Sequence, residues 1–173
     1  MSVRSKAALF TLLVSATAAG PAGSIPSTRA ESGKVERVVD GDTLRVRGGA
    51  RVRLLQIDAP EAGEECYARG STRELVRLAP RGARVVLETD PELDRRDRYG
   101  RLLRYVHGSR GVNVNVELVR RGAATPYFYD GDRGRYAALL LGAVAVARRE
   151  RRGMWGACRV SWRPEEPVTT RSR

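Results

Sequence analysis

The feature that most constrains the fold is a series of short alternating segments separated by tight turns. The three segments, each with the composition of a β-strand, span residues 34–39, 43–47 and 52–57. Asp-Gly at 40–41 and Gly-Gly at 48–49 are turn dipeptides that connect them. In the third segment, alternation would place Arg53, Leu55 and Ile57 on one face. This pattern predicts a β-meander that curls into a barrel.

The rest of the chain adds strands and helices to that meander. Helices are predicted over 70–78, 116–121 and 134–152, and strands over 83–89 and 102–107. Ser71 or Thr72 is expected to cap the first helix. Five strands interleaved with three helices predict an α+β domain, mainly β, in which the helices pack against a small closed barrel. An OB-fold is one such arrangement.

The N-terminus has the pattern of an export signal. Arg4 and Lys6 precede an apolar stretch, residues 7–19, that is too short to span a bilayer, and small residues suit cleavage near Ala18 or Ala30. A buried helix and an uncleaved anchor are the alternatives. The predicted organisation is a signal peptide and linker over 1–30, a single domain over 31–158 and a disordered tail over 159–173. We therefore expect a secreted protein with no stable membrane insertion after signal removal.

Charge and residue inventory restrict the chemistry. A formal net charge of +12 favours a polyanionic partner, although genome base composition alone can also enrich arginine. His107 is the only histidine, which excludes paired-histidine catalysis and, without a GxSxG elbow, a Ser-His-Asp triad. Cys66 and Cys158 cannot build a zinc site with one histidine; they are expected to form a disulfide, with two free thiols as the alternative. Carboxylates, arginines and tyrosines remain, and these suit a hard cation and phosphate chemistry.

Three clusters combine these residue types. They are Asp-Gly-Asp-Thr at 40–43, Arg-Leu-Leu-Gln-Ile-Asp-Ala-Pro-Glu at 53–61 and Asp-Arg-Tyr-Gly-Arg at 97–101. Taken singly, each has a simple structural explanation: a hairpin turn, the end of a strand and a solvated charged loop. Arg53, however, lies among apolar neighbours and needs an anionic partner.

Together and in this order, the clusters resemble the staphylococcal nuclease family over residues 35–155. Further similarities are the segments 112–122 and 127–129 and Trp155 after the last helix. The resemblance implies a five-stranded OB-fold barrel with three helices. It also implies a nuclease that hydrolyses DNA, with RNA as a second expected substrate and without strong sequence specificity. A monomer is expected.

The resemblance further implies one Ca²⁺ ion as cofactor. Asp42 and Asp58 would bind it through their carboxylates and Ala59 through its backbone carbonyl, with Asp40 supporting the ligands from behind. Family members usually carry threonine where Ala59 stands, but a backbone ligand does not require a particular side chain. Carboxylates completed by water suit calcium because it accepts oxygen ligands in variable geometry.

The same resemblance implies catalytic roles. Glu61 would be the general base, or would orient the attacking water, while Arg53 and Arg101 would grip the phosphate in a reaction that leaves 3′-phosphate ends. Residues expected to contact the nucleotide are Arg98, Tyr99, Tyr127 and Tyr129, and the alternative for the last two is packing alone.

The sequence departs from the best-known member of that family in two loops. The hairpin between Asp42 and Arg53 looks shorter, and the loop after Glu61 is also compact. The competing interpretations are an OB-fold module that binds single strands without cutting them, and a basic exported protein that coats polyanions by charge alone.

Overall fold

A computed structural model describes residues 29–63 and 65–173. The predicted signal segment up to residue 28 lies outside the described residues. The strands are β1 Ala30–Val38, β2 Thr43–Val46, β3 Arg51–Leu54, β4 Ile57–Asp58, β5 Arg84–Glu88, β6 Leu102–His107, β7 Thr125–Pro126, β8 Cys158–Ser161 and β9 Thr169–Ser172. The α-helices are α1 Ala68–Leu78, α2 Val114–Arg120, α3 Ala137–Arg149 and α4 Met154–Ala157.

Five of the strands form a closed barrel in the order β1-β2-β3-β6-β5. All neighbours are antiparallel except β3 and β6, which run parallel and register Leu54 with Arg104. Leu44, Val52 and Val106 are fully buried and fill the barrel, and closure leaves it no unpaired sheet edge. The predicted five-stranded OB-type barrel with three main helices is confirmed, and α4 adds a single turn.

The third predicted strand does not run straight through. β3 ends at Leu54, and Gln56 adopts a left-handed conformation with φ of 56°. The side-chain amide of Gln56 makes two hydrogen bonds. Its Nε2 donates to the Asp132 carbonyl at 2.8 Å, and its Oε1 accepts from the Tyr105 hydroxyl at 2.9 Å. This turn interrupts the strand, so the prediction of one continuous strand over 52–57, on which the alternation of Arg53, Leu55 and Ile57 depended, is wrong.

The helices lie near their predicted positions, with one wrong cap. α1 begins two residues before the predicted start, after Tyr67 at φ of 71°, and no side chain caps it. Ser71 is instead fully buried inside the helix. α2 and α3 fall within a few residues of the predicted ranges. Within the described residues, even α3, the longest helix at 13 residues, falls short of what crossing a bilayer requires.

The N-terminal end of the domain lies one residue before its predicted start. The domain was expected to begin at residue 31, and β1 begins at Ala30, so residues 30–33 form the first half of that strand. Ala30 pairs with Glu88 and Gly33 with Val85, so this segment closes the barrel against β5. Backbone pairing with an apolar strand explains why a Gly- and Ser-containing stretch becomes ordered here.

The prediction of a disordered tail over 159–173 is wrong. β8 and β9 pair along their whole length, and we refer to residues 158–172 as the C-terminal hairpin. Cys158 forms the expected disulfide with Cys66, with their Cα atoms 6.0 Å apart. Val168 and Thr170 are buried at 3% exposure, and Val168 packs with Met154 and Cys158. The hairpin is therefore ordered by tertiary contacts that its own polar sequence does not indicate.

Candidate active site

The site is centred on one arginine between two aspartates. Arg53, from β3, places Nη2 3.0 Å from Asp42 Oδ2 and 2.9 Å from Asp58 Oδ1. Its Nη1 donates to the carbonyls of Leu54 and Ile57. The side chains of the arginine and both aspartates are only 10–13% exposed. The anionic partner that Arg53 was expected to need is thus a pair of carboxylates from the turn before β2 and from β4.

The turn before β2 directs Asp42 into this centre. Asp40 Oδ1 accepts a hydrogen bond from the Asp42 amide at 3.1 Å, which tightens the turn. A Cβ on Gly41 would lie 2.6 Å from Ala59 Cβ and 2.7 Å from Ser71 Cβ, so only glycine allows the turn to approach α1. Asp42 Oδ2 then accepts from the Ala59 amide at 2.9 Å. The Asp-Gly-Asp motif is therefore both a turn and a way of burying one carboxylate.

The acidic centre carries more negative charge than one guanidinium compensates. Burial, together with the nearby Asp40 and Asp58 carboxylates, raises the pKa of Asp42 to about 7 against the opposing effect of Arg53. Burial also raises the pKa of Asp58, with Glu61 and Glu65 adding to it. A bound cation would relieve this excess, and oxygen donors favour a hard ion such as Ca²⁺.

The ligand set offered by side chains is small. Across residues 29–63 and 65–173, no group of three or more acidic, histidine or cysteine side chains is arranged to hold a metal. Asp42 and Asp58 are the two carboxylates whose oxygens converge, both within 3.0 Å of the same nitrogen. A cation bound here needs backbone carbonyl and water ligands as well, which fits calcium and the predicted contribution of Ala59.

Glu61 lies next to this centre, beyond Pro60. It is exposed, and its backbone amide donates to Glu65 Oε2 at 2.7 Å. Its charge is close enough to Asp58 to raise the pKa of that aspartate. The predicted base is therefore on the solvent side of the two aspartates.

A cleft of about 460 Å³ opens beside Arg53. The predicted phosphate- and nucleotide-contacting residues all line it: Arg53, Arg98, Tyr99, Arg101, Tyr127 and Tyr129. Tyr99 and Tyr129 are 67% and 66% exposed, so much of each side chain is open to solvent in the cleft. Arg53 joins the two parts of the site, because it lines the cleft and also contacts both aspartates.

The loop 97–101 shapes the far wall of this cleft. Asp97 Oδ1 accepts from the backbone amides of Tyr99 and Arg101, and Asp97 Oδ2 accepts from Arg101 Nε at 2.6 Å. Although burial opposes it, these hydrogen bonds hold the pKa of Asp97 below its usual range. The guanidinium carbons of Arg98 and Arg101 lie 4.9 and 5.5 Å from the centre of the Tyr99 ring. The motif therefore presents two cations and an aromatic ring on a fixed turn.

Comparisons with known proteins agree with this geometry. The model of the staphylococcal nuclease homologue family matches residues 51–157. The chain belongs to the staphylococcal nuclease family. An uncharacterized endonuclease of Escherichia coli O157:H7 is 39% identical over 127 residues, covering 71% of this chain and 76% of the relative. A micrococcal nuclease of Shigella flexneri is 35% identical over 161 residues (87% and 88%), and a thermonuclease of Staphylococcus intermedius is 32% identical over 140 residues (76% and 80%).

Family membership confirms the resemblance read from the three clusters, and the family and relatives support a hydrolytic nuclease acting on nucleic acid. Sequence reasoning missed several residues of this nuclease-type site. Arg96 and Asp132 also line the cleft, and Val168 contacts Asp58. Arg96 directly precedes the 97–101 cluster, in a stretch rich in charged residues, and that density of charge could have indicated it. Nothing in the C-terminal sequence pointed to Val168.

Proposed function

We propose that this chain is a secreted, Ca²⁺-dependent nuclease that hydrolyses phosphodiester bonds in DNA and RNA and leaves 3′-phosphate ends. The observation that carries the proposal is the double contact of Arg53, which touches both converging aspartates and lines the cleft of arginines and tyrosines. A phosphate bound in the cleft would meet arginine on one side and the acidic centre on the other.

Asp42 and Asp58, with the Ala59 carbonyl, would hold Ca²⁺, which supplies positive charge beside the phosphate. Glu61 accepts a proton from the attacking water. The water oxygen bonds to phosphorus as the bond to the 5′ oxygen breaks. The 5′ oxygen leaves as an alkoxide and takes a proton from solvent water, and Glu61 later returns its proton to solvent. Arg53 and Arg101 donate hydrogen bonds to the phosphate oxygens as charge accumulates on them.

The cleft residues account for substrate binding without base-specific readout. Arg98 and Arg101 offer cationic contacts to phosphates, and the exposed rings of Tyr99 and Tyr129 offer surfaces on which any base can stack. Tyr127 contacts Tyr129 edge to face, with ring centres 6.4 Å apart, and supports it. These contacts favour single-stranded substrate of either sugar type, bound to a monomer.

Secretion is supported by the disulfide, because such bonds persist mainly in oxidising compartments. The proposed route is signal cleavage near Ala18 or Ala30, which leaves β1 intact or nearly so.

The decisive experiment is cleavage of labelled single-stranded DNA and RNA by the mature protein in millimolar Ca²⁺ and in chelator. Glu61→Gln and Arg101→Gln are expected to reduce turnover by roughly 10²-fold or more, since each removes a group that acts on the reacting phosphate. Exposed Arg81 supplies the matched control Arg81→Gln, expected to leave turnover unchanged. Gel-shifted but intact substrate in Ca²⁺ would instead establish a binding module.

A further inference from the structure

The C-terminal hairpin reaches the acidic centre directly. The Val168 amide donates a 2.9 Å hydrogen bond to Asp58 Oδ2, across 110 residues of sequence. The other oxygen of the same carboxylate, Oδ1, faces Arg53 Nη2. The two oxygens of Asp58 therefore have separate partners: the hairpin holds one, and the other points into the site.

A second contact links the hairpin to the segment that carries Glu61. The Thr170 amide donates to Glu65 Oε1 at 2.9 Å, and Glu65 Oε2 accepts from the Glu61 amide at 2.7 Å. Thr170 Oγ1 also donates to the Cys66 carbonyl at 2.7 Å. Glu65 thus bridges the hairpin and the backbone of the proposed base.

The hairpin is attached to the rest of the domain at two further points. The disulfide ties its first residue, Cys158, to Cys66, immediately after Glu65. The Trp162 indole donates to the Pro126 carbonyl at 2.7 Å, which adds a hydrogen-bonded anchor on β7. Anchors on both sides of the Asp58–Cys66 segment restrict how that segment can move.

We infer that the C-terminal hairpin positions the proposed calcium site, with the Val168 amide orienting Asp58 and the Thr170 amide, through Glu65, fixing the backbone at Glu61. Val168 and Glu65 are positioning residues because they act through groups that would contact the cation or the water. The inference rests on the proposed function. Partners that orient a metal-binding side chain typically change metal affinity 10–100-fold when removed.

The test compares Val168→Pro, which lacks the amide hydrogen, with Val168→Ala, which keeps it. Calcium binding is measured by isothermal titration calorimetry on the full mature chain. Val168→Pro is expected to raise the calcium Kd about tenfold and Val168→Ala to raise it much less, with turnover of Val168→Pro recovering at saturating Ca²⁺. A merely structural role would lower turnover at every calcium concentration.

A second variant decides the matter if Val168→Pro does not fold, as judged by circular dichroism. In Glu65→Gln one of the two carboxylate oxygens becomes an NH₂ donor, so the positions of Oε1 and Oε2 can no longer both accept from the Thr170 and Glu61 amides. It is expected to lower turnover at saturating Ca²⁺ while leaving calcium affinity nearly unchanged. Unchanged turnover in Glu65→Gln would overturn the inference.

The possible outcomes distinguish a failure of this inference from a failure of the proposed function. Wild-type protein that binds no calcium and cuts nothing overturns the proposed function. Wild-type protein that binds and cuts, together with equal calcium affinities for Val168→Pro and Val168→Ala, overturns only the role of the hairpin.

Discussion

Replacing Arg53 with methionine tests the charge balance of the acidic centre by stability, independently of turnover. Methionine is unbranched and fills similar space, but it leaves Asp42 and Asp58 facing each other without the positively charged guanidinium between them. Breaking a buried ion pair by removing one partner costs about 3–5 kcal/mol. Because protonation of Asp42 limits the repulsion, we expect the lower end, about 3 kcal/mol in chelator.

The expected loss corresponds to about 6–12 °C in Tm for a domain of this size. It is measured by denaturant unfolding in chelator, with exposed Arg51, on the same strand, as the matched control Arg51→Met. If Ca²⁺ binds between the aspartates, it should stabilise Arg53→Met more than the wild type, because no guanidinium competes for the carboxylates in the variant. At 100-fold excess over Kd a ligand adds about 2.7 kcal/mol, so an affinity about fivefold higher narrows the deficit by about 1 kcal/mol.

Two results would refute this reasoning. Equal stability of Arg53→Met and Arg51→Met in chelator would show that the guanidinium does not compensate the carboxylates. A deficit that stays the same after calcium is added would show that the aspartates are not where the cation binds.

Three further predictions concern the disulfide, the acidic centre and the packing of α2. Replacing Cys66 and Cys158 with serine is expected to lower the free energy of unfolding by about 2–4 kcal/mol, because the bridge closes a long loop; an unchanged denaturation midpoint would contradict this. Calcium affinity, followed by calorimetry, is expected to fall as pH drops from 8 to 6. With a pKa of about 7, Asp42 gains a proton that the cation must displace, so a flat profile would argue against Asp42 as a ligand. Asn115→Ala is expected to cost about 2–3 kcal/mol in urea unfolding, since it leaves the buried Val106 amide without its acceptor; a loss below about 1 kcal/mol would count against that view.

Much of the fold and part of the acidic centre could be predicted from local sequence. Turn dipeptides at 40–41 and 48–49 and the alternation beside them were enough to predict the strands, since turn chemistry and side-chain period depend on neighbouring residues only. The need of Arg53 for an anion also followed from its neighbours. The alternation failed at Gln56, where hydrogen bonds to Tyr105 and Asp132 stabilise a left-handed residue that no local rule indicates.

The sequence by itself determined the barrel strands, the helices that pack on it and the three motifs that supply carboxylates, arginines and tyrosines. Only the tertiary structure decided that Arg53 contacts two aspartates at once, that Arg101 and Tyr127 line one cleft, and that the hairpin ends against Asp58. The physical reason is range: strand period and turns are set by adjacent residues. The contact between Val168 and Asp58 joins residues 110 positions apart. It depends instead on tertiary packing and on the disulfide, which hold the C-terminal hairpin beside the acidic centre.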